Sequence, residues 1–329
     1  MKLKVLAPFS AVEEVEPLIA AGAEELYCGF VPAVWVRDQP ADQWINRRYP
    51  RGANLCALSQ LAESVRLAAR WQVPVFLTVN AHCYSPAQLP TLMKMAELAA
   101  EAGVQALIVS DLSLLLALRD AALPIRRHLS SLGHCTNAEA ASFFAELGVE
   151  RLILPRGLST REIAALRGRG PRPLEYEVFL LNDGCAYDEA LCLTSHHYGP
   201  ICLTPWKVDP HPMGGAKEGR TSKWAENWHA YQRYLWCLNN CGSSCGASGL
   251  PNGPCGLCAL SELGAIGIDA VKVVGREAST PRKLASVRVA RAVVERVRLG
   301  ESAEAVSGYA RELRGTPELC ESTYTCYYR

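Results

Sequence analysis

Cysteine is the residue type best placed to do chemistry in this chain, because eight of its fourteen cysteines lie between residues 185 and 258. Thiolates are soft ligands that suit iron–sulfur clusters, zinc or copper(I). Inert buried cysteines rarely bunch so closely, and disulfides are typical of secreted chains. The segment therefore predicts metal binding, with enough thiols for two four-cysteine sites. The eight residues are Cys185, Cys192, Cys202, Cys237, Cys241, Cys245, Cys255 and Cys258.

Charge and hydropathy exclude several other classes of protein. The formal net charge of the 329-residue chain is only +1, so the protein as a whole has no strong positive potential, and charge gives no support for RNA as a partner. The chain begins without the apolar region of a signal peptide, and no apolar run reaches the length of a transmembrane helix. We therefore expect a cytoplasmic protein without membrane contacts.

The elements that must position the thiols follow from the periodicity of the chain. Short β-rich runs alternate with helical patterns eight times, which predicts a (β/α)8 TIM-like barrel over residues 1–300, followed by a C-terminal tail over 301–329. A doubly wound sheet would need a glycine-rich loop after the first strand, and Pro8-Phe9-Ser10-Ala11 is not one. The predicted strands are 4–9, 25–30, 74–80, 106–110, 125–131, 151–154, 174–181 and 271–274.

A long insertion interrupts this regular pattern between the seventh strand and the seventh helix. Residues 182–257 stand where a connection of about 2–6 residues is usual. All eight clustered cysteines lie in this insertion or at its edge. Because the loops that follow barrel strands build the active site, we expect the thiols on the catalytic face.

Polar residues at the ends of other strands complete the predicted site, although no catalytic residue can be assigned among them. Arginine offers a planar fork for carboxylates, so Arg156 and Arg276 can hold a carboxylated ligand. Alternatively, one of them pairs with a barrel acid such as Glu177. The candidate substrate-binding residues are Asn80, His82, His134, Arg156, Glu177 and Arg276.

Several segments resemble peptidase family U32, the collagenase-like proteins. Glu177-Val178-Phe179 is followed by Cys185 eight residues after the glutamate and by Cys192 seven residues later, as in the signature of that family. Residues 21–29, 152–159 and 258–276 are similar to further stretches of the family, in the same order. The resemblance covers most of residues 1–300.

The resemblance implies a [4Fe–4S] cluster held by four cysteines. Cys185, Cys192 and Cys258 match three of its ligands, and we place Cys202 in the set, with Cys237, Cys241 and Cys245 as alternatives. It also implies oxygen-independent hydroxylation of ubiquinone precursors or of tRNA and rRNA bases, with prephenate as the oxygen donor. The expected partners are thus a small molecule such as prephenate, or a nucleobase in RNA.

The remaining cysteines leave a second metal site open. Cys237, Cys241, Cys245 and Cys255 can hold a second iron–sulfur cluster or a zinc ion. Cys320 and Cys326 flank an aromatic tail, where packing is favoured over a metal-capping role.

Two alternative functions also stay open. A U32-type peptidase would need a cysteine nucleophile with a histidine close to it in space. Histidines that are merely next to a cysteine in the sequence do not establish such a pair. A non-catalytic iron–sulfur subunit would act within a hetero- or homodimer.

Overall fold

Eight parallel strands close into a barrel in which each strand pairs with the next and the eighth pairs with the first. The computed structural model describes residues 3–39, 44–48, 51–185, 188–192, 219–241, 245–246 and 249–328. The prediction of a (β/α)8 barrel is confirmed. The strands are β1 (Lys4–Pro8), β2 (Glu25–Gly29), β3 (Val75–Val79), β4 (Ala106–Val109), β5 (Arg126–Leu129), β6 (Arg151–Ile153), β7 (Glu175–Leu181) and β8 (Ala270–Val273).

Helices connect the strands and begin at residues that suit helix N-termini. The Asp111 and Asn137 side chains accept backbone N–H groups in the first turns of two of them, and Ser159 forms a capping box with Glu162. The barrel helices are α1 (Val15–Ala20), α2 (Ala33–Asp38), α3 (Leu58–Ala69), α4 (Leu89–Glu101), α5 (Leu112–Asp120), α6 (Ala138–Glu146), α7 (Thr160–Arg169), α9 (Leu260–Ile266) and α10 (Thr280–Arg298), with α8 (Gly219–Cys241) in the insertion.

The C-terminal tail is helical and packs on the barrel. Helix α11 (Ala303–Arg314) lies against α10 and α9, and the short helix α12 (Pro317–Ser322) follows it. The last residues return to the barrel, because Tyr328 Oη donates to the Phe179 carbonyl at 2.5 Å. Within the described residues, no helix is both long and apolar enough to cross a membrane.

Alternate strand residues separate into two buried clusters. Outward-facing side chains such as Val5 and Leu77 join the large core between the strands and the helices. Inward-facing residues, among them Leu6, Phe76 and Ile153, form a smaller cluster inside the barrel. This period of two along each strand is the pattern expected of a packed barrel.

The barrel interior also holds a buried ionic network centred on Arg151. Its side chain is 1% exposed and donates to Glu25 at 2.5 and 2.9 Å, to Glu175 at 2.8 Å and to Glu177 at 3.2 Å. Lys272 donates to the second Glu177 oxygen at 2.8 Å. The network therefore links β2, β6, β7 and β8 beneath the carboxyl ends of the strands.

Replacing Arg151 by methionine keeps much of the packing volume but leaves Glu25 and Glu177 without their shared guanidinium. We expect Arg151→Met to lower the free energy of unfolding by about 3–5 kcal/mol, the usual cost of breaking a buried ion pair from one side. Urea denaturation followed by circular dichroism measures this loss.

The matched control is Arg126→Met on the neighbouring strand β5. This arginine also pairs with carboxylates, but its side chain is 37% exposed. Its loss should cost only about 0–1 kcal/mol. Equal free energies of unfolding for the two variants would contradict the stabilising role assigned to the buried network.

Candidate functional site

A pocket opens at the carboxyl ends of the strands, on the face where the sequence predicts the site. Its volume of about 100 Å³ exceeds what a single water molecule requires. Three predicted substrate residues line it, together with one predicted metal ligand: Asn80, Arg156, Arg276 and Cys185. Other lining side chains are Tyr27, Arg47, Arg48, Thr78, Phe179 and Lys272. We call this cavity the mouth pocket.

Arg276 is a buried cation held by neutral groups. Its guanidinium donates to Thr78 Oγ1 at 2.9 Å, to Asn54 Oδ1 at 3.2 Å and to Asn46 Oδ1 at 2.9 Å. Any side chain at Gly29 would collide with the Arg276 guanidinium, so the close approach to β2 requires glycine. Among the described residues, no carboxylate lies within ion-pair distance of Arg276, and burial lowers its pKa. An anionic ligand would supply the missing countercharge.

Arg156, in contrast, is neutralised by the protein. Its Nη1 donates to Glu189 at 2.9 Å, and its Nε donates to the Asp183 carbonyl at 2.9 Å. The guanidinium carbon stands 3.5 Å from the centre of the Phe179 ring. Although burial opposes the charged form, Glu189, Tyr327 and Asp183 raise the pKa of Arg156. This arginine therefore serves as a fixed, flat wall of the mouth pocket.

Residues 44–48 connect the mouth pocket to the start of the insertion. The Arg47 backbone N–H donates to Asn80 Oδ1 at 3.1 Å, and its guanidinium donates to the Cys192 carbonyl at 3.2 Å. Arg48 pairs with Asp183 at 2.7 Å. These contacts hold Cys192 beside the strand ends.

The predicted role of Glu177 is not supported by its contacts. Glu177 is fully buried below the mouth pocket, where its partners are Lys272 and Arg151. Neither Arg156 nor Arg276 pairs with Glu177; Arg156 does pair with carboxylates, but these are Asp183 and Glu189 of the insertion. We did not predict this pairing from the sequence. Side chains alternate between the two faces of each strand, and this alternation places Arg151 of β6 and Lys272 of β8 inside the barrel, next to Glu177.

The two predicted histidines lie beside the mouth pocket but do not line it. His82 Nε2 lies 3.2 Å from the Glu189 carbonyl, and burial lowers the pKa of His82. His134 Nδ1 lies 3.3 Å from Asp188 Oδ2. Neither ring hydrogen-bonds a cysteine within the described part of the chain, so the thiol–imidazole pair of a cysteine peptidase is not formed by them.

The cysteines predicted to bind one cluster lie in different surroundings. Cys185 lines the mouth pocket, and its carbonyl accepts the Tyr234 hydroxyl at 3.3 Å. Cys192 is half-buried nearby through its contact with the 44–48 segment. Cys258 lines a separate pocket beneath the C-terminal tail. Cys202 lies outside the described residues, so the complete predicted set is not tested.

The second predicted set is also only partly described. Cys237 is buried on α8, Cys245 is exposed opposite Pro251, and Cys255 lines the same pocket as Cys258. The side chain of Cys241 lies outside the described residues. Across the described ranges, no three histidine, cysteine or carboxylate side chains are grouped so as to hold a metal ion. The second site stays a prediction.

Sequence reasoning missed the residues that hold Arg276. Asn46 and Asn54 fall in a polar stretch without periodicity, and Thr78 lies inside a strand. Two signals could have found them. Thr78 is the one polar position in the apolar run of β3, and the chain from 31 to 57, which includes α2, is a long connection after β2 at the end of the barrel where (β/α)8 folds place site residues.

Comparison with known proteins gives consistent matches. The profile of Peptidase family U32 matches residues 10–329. The chain is 23% identical over 225 residues to tRNA hydroxylation protein P1 of Bacillus subtilis (strain 168), covering 65% of this chain and 49% of that protein. It is 32% identical over 194 residues to tRNA hydroxylation protein P of Haemophilus influenzae, covering 59% and 39%.

A ribosomal RNA enzyme is also similar. The chain is 25% identical over 195 residues to the 23S rRNA 5-hydroxycytidine C2501 synthase of Escherichia coli (strain K12), covering 59% of this chain and 27% of that protein. This chain therefore matches about half or less of the length of these three curated relatives.

The geometry around Arg276 predicts that small carboxylates bind at the mouth pocket. Malonate should raise the thermal unfolding midpoint of the wild type, because a ligand that binds only the folded state stabilises it. Arg276→Gln should weaken malonate binding by at least about tenfold, since a charged hydrogen bond contributes about 1.5–3 kcal/mol. Arg169→Gln, at an exposed arginine of α7, should leave the malonate effect intact. An equal midpoint shift in Arg276→Gln and wild type would contradict the assignment.

Proposed function

The chain belongs to peptidase family U32, and on that basis we propose that it hydroxylates a nucleobase in RNA without molecular oxygen, with an iron–sulfur cluster beside the mouth pocket. Three curated relatives are named for the hydroxylation of tRNA or for a hydroxycytidine in ribosomal RNA. Hydroxylation of a base converts a C–H bond into C–OH. The proposal carries that reaction over to this chain.

The observation that carries the proposal is the buried Arg276 guanidinium, which has no carboxylate partner in the described chain and faces the mouth pocket. A hydroxylation that uses no molecular oxygen needs an oxygen donor, and a carboxylated donor would bind this cation through a bidentate contact. We propose prephenate as the donor, because it carries two carboxylates and a ring hydroxyl. The base carbon exchanges hydrogen for hydroxyl while the donor carbon exchanges hydroxyl for hydrogen, so the base loses the two electrons that the donor gains.

The aromatic wall of the mouth pocket suits the base. Enzymes that modify a nucleobase extrude it from the stack and hold it between flat side chains. Tyr27 and Phe179 line the pocket, and the Arg156 guanidinium lies over the Phe179 ring at 3.5 Å. Guanidinium planes and aromatic rings both stack on RNA bases. In this proposal Arg276 orients the donor, while Phe179 and Arg156 orient the base.

The described cysteines near the mouth pocket are compatible with a cluster there. Cys185 lines the pocket and Cys192 is held next to it by Arg47, so both can serve as ligands. When bound, an iron–sulfur cluster supplies Lewis-acid or electron-transfer chemistry. We propose Cys185 and Cys192 as ligands; their further partners fall in the rest of the insertion.

The alternatives fit the described residues less well. The contacts of His82 and His134 give no support to a cysteine peptidase. A purely structural iron–sulfur subunit would not require a buried arginine facing a polar pocket. RNA binding, which the net charge does not favour, would in this proposal depend on the local arginines of the mouth pocket.

The test is the nucleoside composition of RNA from anaerobically grown cells with and without the gene. We expect one hydroxylated nucleoside to disappear from tRNA or rRNA in the deletion strain. Wild type and Cys56→Ala, a variant at an exposed thiol outside the mouth pocket, should restore it, whereas Cys185→Ala and Arg276→Gln should not. Liquid chromatography with mass spectrometry measures each nucleoside. Identical nucleoside profiles with and without the gene would refute the proposal, as would full restoration by Cys185→Ala.

A further inference from the structure

Four cysteines that are far apart in sequence line one pocket between the barrel and the C-terminal tail. They are Cys255, Cys258, Cys320 and Cys326. We call this cavity the tail pocket, and its volume is about 200 Å³. None of the four lines the mouth pocket. They form two pairs, Cys-x2-Cys and Cys-x5-Cys, and the chain between the pairs contains α9, β8, α10 and α11.

Backbone pairing fixes two of these thiols next to each other. The Cys255 N–H donates to the Thr325 carbonyl at 2.7 Å, and the Tyr327 N–H donates to the Cys255 carbonyl at 3.0 Å. Cys255 and Cys326 are therefore partners in a short parallel bridge. Cys258 follows in the turn that leads into α9, and its Sγ lies 4.0 Å from the Ser307 carbonyl of α11.

The turn after α12 brings Cys320 and Cys326 to the same pocket. Cys320 lies on α12, and Thr323, the residue after the helix, adopts a left-handed conformation with φ of 57°. A β-branched residue rarely adopts this conformation, so the packing around the turn must hold it in place. The Cys326 N–H donates to the Thr323 carbonyl at 3.0 Å, which closes the turn and returns Cys326 to the tail pocket.

Two arginines of α11 supply positive charge at the same pocket. Arg311 lines the tail pocket with Cys258, whose thiol raises the pKa of Arg311, and the buried Arg314 donates to the carbonyls of Pro251 and Gly253. In the part of the chain that the structure describes, neither arginine forms an ion pair with a carboxylate. Four thiolates on a metal centre carry net negative charge, and these two cations would offset it.

We propose that Cys255, Cys258, Cys320 and Cys326 ligate an iron–sulfur cluster in the tail pocket, independent of the chemistry at the mouth pocket. Tetrathiolate sites hold either zinc or iron–sulfur clusters. A closed zinc site draws its four sulfurs to about 2.3 Å from one ion. Here four thiols and two arginines line a pocket of about 200 Å³, a volume that leaves room for the larger body of a cluster. This assignment differs from the expectations from sequence, in which the family resemblance grouped Cys258 with Cys185 and Cys192, and Cys255 belonged to a second set with Cys237, Cys241 and Cys245.

Metal analysis of protein prepared without oxygen and supplied with iron and sulfide tests the site. Cys320→Ser and Cys326→Ser should each remove about four irons per chain, the content of one [4Fe–4S] cluster, together with the matching visible absorbance. Cys185→Ser should leave those irons in place, because Cys185 lines the other pocket. If the mouth cluster alone were absent, all of the iron would depend on Cys320 and none on Cys185. Iron content that is unchanged in Cys320→Ser, or zinc in place of iron, would overturn the proposal.

Thiol alkylation of the wild type gives a readout that does not depend on whether the variants fold. Cys258 is exposed in the structure, as are Cys56 and Cys83, so without a bound cluster all three should react at similar rates. In the iron-loaded protein, Cys258 should react at least about tenfold more slowly, because a metal-bound thiolate is not free to act as a nucleophile. Removal of iron by a chelator should restore its rate, while Cys56 and Cys83 stay unchanged. Equal labelling of Cys258 in both states, or a disulfide between Cys255 and Cys326, would contradict the cluster.

Discussion

The buried guanidinium of Arg151 is the contact on which the rest of the structure depends. It lies inside the barrel with Glu25, Glu175 and Glu177 around it, at distances from 2.5 to 3.2 Å. Charges removed from water are tolerated only when they are paired and hydrogen-bonded, so these groups must be assembled together or not at all. Strands β2, β6 and β7 are thereby fixed relative to one another, and the buried ionic network lies directly beneath the mouth pocket.

Pairing with carboxylates determines which cationic side chains near the mouth pocket remain available to an anionic ligand. Lys272 is held by Glu177 at 2.8 Å and lies 4.1 Å from the centre of the Tyr27 ring. Above it, Arg156 is neutralised by Glu189, and Arg48 is neutralised by two carboxylates of its own.

Arg276 differs, because neutral amide and hydroxyl oxygens hold it in place. Compared with Arg48 and Arg156, which are paired with carboxylates, Arg276 is therefore better suited to an anionic substrate. This contrast is the physical basis of the proposed donor site.

The sequence predicts the barrel well and the details of its site less well. Each of the eight predicted strands overlaps an observed strand, because apolar runs bounded by helical patterns are a strong local signal. Helix α8 was not predicted, since its aromatic residues follow no clear amphipathic pattern, and Trp236 on it is 62% exposed.

Contacts between distant parts of the chain explain the remaining differences. Spacing alone cannot pair Cys258 with Cys320, because α9, β8, α10 and α11 separate them in the chain and only the returning tail brings them to one pocket. The asparagines that hold Arg276 lie in a loop without periodicity, so their role appears only once β2, β3 and β8 are assembled. In both cases the decisive information is tertiary.

The central claim is that the mouth pocket transfers a hydroxyl group from a carboxylated donor to an RNA base. Its most direct test uses RNA from cells that lack the gene, incubated without oxygen with the purified iron-loaded protein and prephenate labelled with heavy oxygen at its ring hydroxyl. The account predicts that mass spectrometry will find the heavy oxygen in one hydroxylated nucleoside, and that Arg276→Gln will remove most of this signal. A hydroxylated nucleoside whose oxygen comes from water, or the absence of any new hydroxylated nucleoside, would contradict the account.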